Sequence, residues 1–399
     1  MAREDHQAFG PEWQVALQLP LLELPPEDVT FVGDFPARLA QLFPECLSAE
    51  ACLVPVHPWA LRHDLQQRFE KPFRSGRWRV SDLPPLSARP TMSLRTVILQ
   101  SPYGDAHLKL PLAVQTTGAT RTVSPAAAHN GPALSRLLQQ IWASPASARH
   151  LAPLHLMAEP ASFCLADDSA GQARFLAGIL RQGPGASQDG ARWLTPAAAL
   201  LEPRHNPLFV RAADHYGLAP LALWQAYVQA LLPPLTFLAG RLGLALEGHP
   251  QNVLVDFRGA GGKAPEIHFH YRDLGGIRVH PERLQEGLGT LDLPLEPPAF
   301  WPGSATCTSS LRDLASKLIY SVLQNHLGEL IRATVRCTGE SESPYWSFVR
   351  RVLEGCRERM GEDLAGRVFS SFWDLKAMWR MRLDAAVTEY TYAPVENPL

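Results

Sequence analysis

The chain has 399 residues, 46% of them hydrophobic and 19% charged, and a formal charge of −2. That length allows two domains of ordinary size, each with its own core, and the near balance of charge excludes a strong field of either sign, so nucleic acid is a poor main partner. The first twenty residues carry Arg3, Glu4, Asp5 and Glu12 and lack a basic start followed by an apolar run; neither a secretion signal nor an anchor is expected, and the predicted compartment is the cytoplasm.

The 36 prolines concentrate before about residue 130 and around 291–302, which predicts short strands and turns there and helices elsewhere. The first readable hairpin pairs residues 93–100 with 107–115 around the turn Pro102-Tyr103-Gly104-Asp105. Alternation sets Leu108, Leu110, Leu112 and Val114 on one face and His107, Lys109 and Gln115 on the other, so Lys109 leaves the core side. Ser93, Arg95 and Thr96 fall on the partner strand, and Thr116, Thr117, Thr120 and Arg121 crowd the turn that follows. A guanidinium that pairs bidentately and a compact ammonium suit phosphate or carboxylate oxygens. An exposed polar strand face with incidental Arg and Lys is the alternative that spacing leaves open.

A Gly/Ser-rich surface loop is predicted at 182–190, close to a boundary near residue 195 between a mixed domain (1–195) and a largely helical one (196–399). The most apolar stretch, 218–240, is interrupted by Gln225, Gln229 and Pro233-Pro234 and reads as two buried helical pieces, not a membrane span. Six scattered cysteines without C-x-x-C spacing read as reduced core residues. A second hairpin, 253–257 with 266–271, flanks Arg258-Gly259-Ala260-Gly261-Gly262-Lys263, whose glycines suit a turn. The spacing is wrong for a phosphate-binding P-loop, and no Ser or Thr follows the Lys.

The polar segment Glu247-Gly248-His249-Pro250-Gln251-Asn252 enters this hairpin and Arg272-Asp273 leaves it. An Asn and an Asp thus end two paired strands, and their oxygens together with phosphates suit a hard octahedral cation such as Mg2+. Protein kinases hold magnesium with a similar pair but place a carboxylate near that Asn to take a hydroxyl proton. Here no Asp stands between His249 and Asn252, and Glu247 is the one nearby carboxylate before the loop. A substrate carboxylic acid with pKa about 4 is already ionised and needs no base to attack the α-phosphate of ATP. It needs positive charge and metal, which Lys109, Arg121 and magnesium would supply. His249 could hydrogen-bond the carboxylate or later take a proton from an amine; a purely structural histidine is the competing reading. His268 and His270 alternate on one strand face with no obvious third ligand and read as structural. Further on, Ser310-Leu311-Arg312-Asp313 forms a capping box for a long amphipathic helix. A second helix is predicted over 363–386, placing Lys376 and Arg380 one turn apart; a solvated basic stripe accounts for them equally well.

Several elements, in order, resemble the IucA/IucC family of siderophore synthetases. Phe9-Gly10-Pro11-Glu12-Trp13 resembles Y-x-P-E-F, Pro55-Val56-His57-Pro58-Trp59 resembles P-x-H-P-W, and Ser93-Leu94-Arg95-Thr96 resembles S-x-R-T. Lys109 and Arg121 recur at the familiar separation, Glu247 to Asn252 resembles E-x-H-x-Q-N, and Arg272-Asp273, Asn325-His326 and the terminal Asn397-Pro398-Leu399 complete the set. Ala60 departs from the Gln more usual there.

The resemblance implies an α+β fold: an antiparallel-sheet fingers domain, a largely helical palm with a small hairpin, and a kinase-like nucleotide cleft between them. It implies ATP contacts from Ser93, Arg95, Thr96, Lys109, Thr117, Arg121, His249, Gln251, Asn252 and Asp273. The substrate carboxylate would meet Arg121 and His249, with Lys376 added by family position and charge, and Mg2+ would sit on Asn252 and Asp273 with Glu247 as a further candidate. Members adenylate a polycarboxylate such as citrate and condense it with an amine, hydroxylamine or alcohol, releasing AMP and pyrophosphate, usually as homodimers. About the first third of a typical member is missing ahead of this chain's start, so a separately encoded thumb segment is an expected partner. The alternatives are a partner-dependent homologue that binds nucleotide or a siderophore intermediate without turnover, and a kinase-like small-molecule phosphotransferase.

Overall fold

The structure is a computed structural model and describes residues 7–13, 15–48, 52–116, 119–185, 192–384 and 391–399. Packing divides the chain into two units, one of Met1–Arg136, Met157–Ala186 and Phe300–Pro302, the other of Leu137–Leu156, Ser187–Ala299 and Gly303–Leu399. Strands and helices mix throughout, as an α+β fold requires.

In the first unit seven strands pair antiparallel in the order Leu17–Leu19, Leu86–Pro90, Thr96–Ser101, Gly104–Lys109, Ala177–Gln182, Ala161–Leu165, Val29–Val32. Period-two alternation decides their faces. Val97, Leu99, Leu108, Phe163 and Leu180 enter the main core, while Thr96, His107, Lys109, Ser162, Ile179 and Arg181 lie in register on the opposite face. A smaller cluster of Val123, Ala128, Cys164, Ala177 and Ile179 forms on that second side, and the Ser162 hydroxyl donates to the Ala128 carbonyl. The strand expected to run to residue 115 stops at Lys109. Beyond it Ala113 takes a left-handed φ of 54°, which turns the chain, and Gln115–Thr116 pairs back on Ala119–Thr120.

The second unit holds a four-stranded sheet in the order Leu154–Leu156, Glu266–Tyr271, Val253–Arg258, Arg192–Pro196. The first pair is parallel and the others antiparallel. The Val253–Arg258 and Glu266–Tyr271 hairpin is the one alternation predicted.

Residues expected as two apolar helical pieces form one helix, Pro220–Arg241, that includes Pro233 and Pro234. A proline inside a helix costs roughly 3 kcal/mol. Burial of Trp224, Tyr227, Leu231, Leu235 and Phe237, at about 1.5–3 kcal/mol for each large apolar side chain, outweighs it. Among the described residues this is the one helix long and apolar enough to cross a membrane, and 61% of that window is buried within the protein.

The Ser310 hydroxyl caps the next helix, accepting from the Asp313 N–H at 3.2 Å. Leu311–Ser316 then continues as a π-helix over Lys317–Gly328 and as an α-helix over Glu329–Thr338. The helix expected over 363–386 is absent. Glu362–Val368 is helical, Phe372–Lys376 is a strand paired antiparallel with Tyr392–Glu396, and Met378–Leu383 is a separate helix. Trp373 drives the change: it is buried, and its indole N–H donates to the Val368 carbonyl at 2.9 Å. Lys376 therefore ends a strand and shares no helical face with Arg380. All six cysteines are free thiols as expected, but Cys164 and Cys356 alone are buried, and Cys307 is exposed.

Candidate active site

One end of two central strands of the first unit's sheet gathers most of the cations and hydroxyls read from its sequence. Thr96 and Lys109 are direct cross-strand partners, 4% and 5% exposed, so Lys109 leaves the main core as alternation requires yet stays buried, and the exposed-face alternative does not hold. Ser93 and Arg95 lie in the turn before the strand, not on it. The Thr96 N–H donates to the Ser93 carbonyl at 2.8 Å, and Leu110 N–H donates to the Arg95 carbonyl at 2.7 Å. The Arg95 guanidinium donates to the Thr122 carbonyl, beside Arg121, whose own carbonyl accepts from Leu112 at 2.9 Å. Ser93, Arg95, Thr96, Lys109 and Arg121 are thus tied to one strand end. Thr117 lies outside the described residues.

In the second unit the loop before the hairpin is braced from beneath. The Asn252 N–H donates to the His249 carbonyl at 2.9 Å, and the Arg272 N–H donates to the Asn252 carbonyl at 3.0 Å. The Arg272 guanidinium reaches the Gln251 carbonyl through two bonds, at 2.7 and 3.0 Å. Asn252 donates its side-chain amide to the Glu247 carbonyl at 3.3 Å, which leaves the amide oxygen as the atom a cation would meet. Asp273 takes φ 70°, ψ 78°, a left-handed conformation that a non-glycine residue keeps only where its surroundings impose it.

Glu247 carries a partner the sequence did not suggest. The Lys317 ammonium donates to its carboxylate at 2.5 Å, and a Cβ at Gly276 would stand 2.1 Å from its other oxygen, so glycine is required for this approach. Burial lowers the Lys317 pKa against the pull of Glu247. Burial also lowers that of His249, opposed by Glu247 and Asp273, so the imidazole is neutral near pH 7 and able to accept a proton. His326, fully buried, donates through Nδ1 to the Gly248 carbonyl at 3.0 Å and accepts at Nε2 from the Tyr227 hydroxyl at 2.6 Å. That leaves it a support for the loop.

Asn252 and Asp273 fit a hard cation that completes its shell with phosphate and water. Among the described residues no group of three or more His, Cys, Asp or Glu is arranged to hold a metal. His268 and His270 do gain a neighbour, His155, whose Nε2 lies 2.9 Å from His268 Nδ1. His270 stands 3.3 Å from Asp256, which also binds Arg192 and Arg258.

Lys376, expected from family position and charge, has other cations beside it. A cavity of about 310 Å³ is lined by Arg278, Lys317, Lys376, Asp313, Cys307 and two tyrosines, with small hydroxyl residues between. The Lys376 ammonium sits 4.7 Å from the Tyr320 ring centroid. Lys317 and Arg278 escaped sequence reasoning. The available signal was Lys317 standing three residues after Leu314 on an otherwise apolar stripe.

Comparison with known proteins places these observations. A family model described as IucA / IucC family matches residues 1–202, and one described as Ferric iron reductase FhuF-like transporter matches residues 221–390. The chain is 24% identical to staphyloferrin A synthase of Staphylococcus aureus (strain NCTC 8325 / PS 47), with all of this chain and 69% of the relative aligned. It is 26% identical to the D-ornithine–citrate ligase of the same organism over 92% of this chain and 61% of that protein. The chain therefore spans between three-fifths and seven-tenths of the length of these relatives. Among solved structures, ATP-bound aerobactin synthetase IucA from a hypervirulent pathotype of Klebsiella pneumoniae superposes with a TM-score of 0.79 at 21% identity, covering all of this chain and 72% of the other. The petrobactin biosynthesis protein AsbB of Bacillus anthracis str. Sterne gives 0.82 at 16% identity, covering all of this chain and 70% of the other.

Proposed function

The chain belongs to the IucA / IucC family, and from that premise we propose that it is an ATP-dependent, AMP-forming ligase of siderophore biosynthesis. It activates a polycarboxylate, citrate or a citrate derivative, as an acyl adenylate and passes the acyl group to an amine, hydroxylamine or alcohol. The observation that supports this reading best is the hairpin whose paired ends, Val253 and Tyr271, lead out to Asn252 on one strand and Arg272-Asp273 on the other, with the Arg272 N–H on the Asn252 carbonyl at 3.0 Å.

On this reading Ser93, Arg95, Thr96, Lys109 and Arg121 meet ATP phosphates, Gln251 belongs to the same nucleotide contacts, and Asn252 and Asp273 hold Mg2+. The metal would neutralise charge on the phosphates. A carboxylate oxygen attacks the α-phosphorus, the bond to the β-phosphate oxygen breaks, and pyrophosphate leaves. No base is needed because the acid is already ionised. Attack of the acceptor on the acyl carbon then expels AMP, and His249 takes the proton lost by the acceptor nitrogen or oxygen. A phosphotransferase would need a carboxylate free to deprotonate a hydroxyl, and Glu247, the carboxylate that precedes the loop, is engaged by Lys317.

The test is pyrophosphate release with ATP, magnesium, citrate and hydroxylamine, followed by detection of the hydroxamate. Release should need both metal and acid, and Lys109→Ala should slow it about a hundred- to a thousandfold by removing transition-state charge stabilisation. ADP as product would move the protein to the phosphotransferases. Nucleotide binding without turnover would make it a non-catalytic or partner-dependent homologue.

A further inference from the structure

We propose that the cavity bounded by the π-helical Lys317–Gly328 segment, the Ser343–Gly355 helix and the paired strands Phe372–Lys376 and Tyr392–Glu396 binds an aliphatic diamine in its doubly protonated form. The proposal does not rest on the ligase reading, and the cavity shares no lining residue with the one around Lys376.

Its volume, about 410 Å³, falls within the range of small-molecule pockets. Trp346, Trp373, Leu375, Val395 and Pro398 supply an apolar wall. The charged lining is Glu329, Glu342, Glu396 and Arg332, with no lysine or histidine among the described lining residues. Arg332 donates to the Glu329 carboxylate, so that pair is neutral and the other two carboxylates leave the cavity negative.

Gln324, which also lines the cavity, gives an independent sign of a ligand. Its amide nitrogen donates to the Asp374 carbonyl at 3.3 Å, which fixes the amide's orientation. Its oxygen is buried without a hydrogen-bond partner among the described residues. A buried acceptor left unmet is costly, and a donor entering beside it removes the cost. The indole N–H groups are already committed, Trp346 to Glu342 at 3.4 Å and Trp373 to the Val368 carbonyl at 2.9 Å. What remains is carboxylate and amide oxygens beside aromatic rings, the complement of a donor-only ammonium.

An inorganic cation would leave the apolar wall unused. An alkyl chain covers it, and two terminal ammonium groups answer Glu342 and Glu396. Carboxylates hold an amine in its charged form, and an ammonium has no lone pair with which to attack an acyl carbon. This site therefore retains the diamine and does not activate it as an acceptor. Trp373 and Leu375 belong to the strand that ends at Lys376, so a bound diamine braces that strand.

The test titrates the intact chain, without nucleotide, with 1,5-diaminopentane at pH 7.5 by calorimetry, both amines being protonated there. Pentylamine, one ammonium short, should bind about threefold or more weakly, and glutarate, of the same length with its charges reversed, should not bind. Glu342→Gln combined with Glu396→Gln should weaken the diamine about five- to tenfold, the worth of two exposed ion pairs. Glu354→Gln, outside the cavity, should leave the affinity unchanged. Both cavity carboxylates belong to exposed residues, and Glu342 gives its helix no side-chain cap, so the double variant should fold. Location is also read without any variant: saturating diamine should slow hydrogen exchange at Trp373 and Leu375 in the parent chain and leave Val253–Arg258 unchanged. No diamine binding, equal affinity for glutarate, an affinity unaltered in the double variant, or exchange at the strand unaltered by diamine overturns the proposal.

Discussion

Arg181 and Glu159 show how much of the first unit's polar face is decided by single side chains. Their side chains are 3% and 0% exposed, and the Arg181 Nε and Nη2 both donate to one Glu159 oxygen, at 3.1 and 2.6 Å. The second oxygen is buried with no hydrogen-bond partner among the described residues and faces Gly131, where a Cβ would stand 2.8 Å away. Such a pair adds little stability when intact, because desolvation offsets attraction, but removing one member strands a buried charge. Arg181→Ala should lower stability by roughly 3–5 kcal/mol, while Arg181→Met combined with Glu159→Gln should recover most of that loss. Urea unfolding of the two variants checks this, and a single-variant loss of under about 1 kcal/mol would remove the pair's structural role. Nothing in the sequence marked these residues. They lie in two apolar runs with no local spacing between them, and only sheet register brings them together.

At the scale of elements, the two hairpins were legible because alternation and turn chemistry are local. The 363–386 segment was not, because its strand depends on a partner more than a dozen residues later in the chain. The ending Asn397-Pro398-Leu399 was recognised as a motif, and the fold supplies its physical reason. The Asn397 amide donates to the Val368 and Ser370 carbonyls at 3.0 and 2.7 Å and its oxygen accepts from the Leu399 N–H at 2.9 Å. The Asn397 N–H donates to the Ser371 carbonyl at 3.0 Å. One side chain thus closes the helix end, the turn and the strand that delivers Lys376. Asn397→Ala should cost about 1–2 kcal/mol through unmet carbonyls. It should speed hydrogen exchange at Asp374 and Lys376 while leaving Val253–Arg258 unchanged. Equal exchange at Asp374 and Lys376 in the variant and the parent would show that the clamp is not needed.

For the molecule as a whole, the histidines set a direction for pH dependence that their sequence positions could not reveal. Burial brings His326, His270 and His155 in the second unit to about 4, and His57 in the first to about 3. His57 is buried, and its Nδ1 also caps a short helix, accepting from the Trp59 N–H at 3.2 Å. In the unfolded chain each imidazole takes a proton below about 6.5. Between that value and about 4 the unfolded state therefore binds more protons than the folded one, and stability must fall as the pH falls. The effect is absent above about pH 7, grows through the window from 6.5 to 4, and levels off once the folded imidazoles also protonate. For the fully buried His326 the completed loss is about 3 kcal/mol. Near pH 5 the slope of unfolding free energy against pH should correspond to about one proton per buried histidine. Replacing His326 with Gln should remove about one proton from that slope whatever it does to stability at pH 7.5. Denaturant titrations at pH 7.5, 6.5, 5.5 and 4.5 measure both quantities. A slope unchanged in His326→Gln would mean that His326 is not held neutral in the fold, and the brace it gives the Gly248 carbonyl would have to be rebuilt on another group.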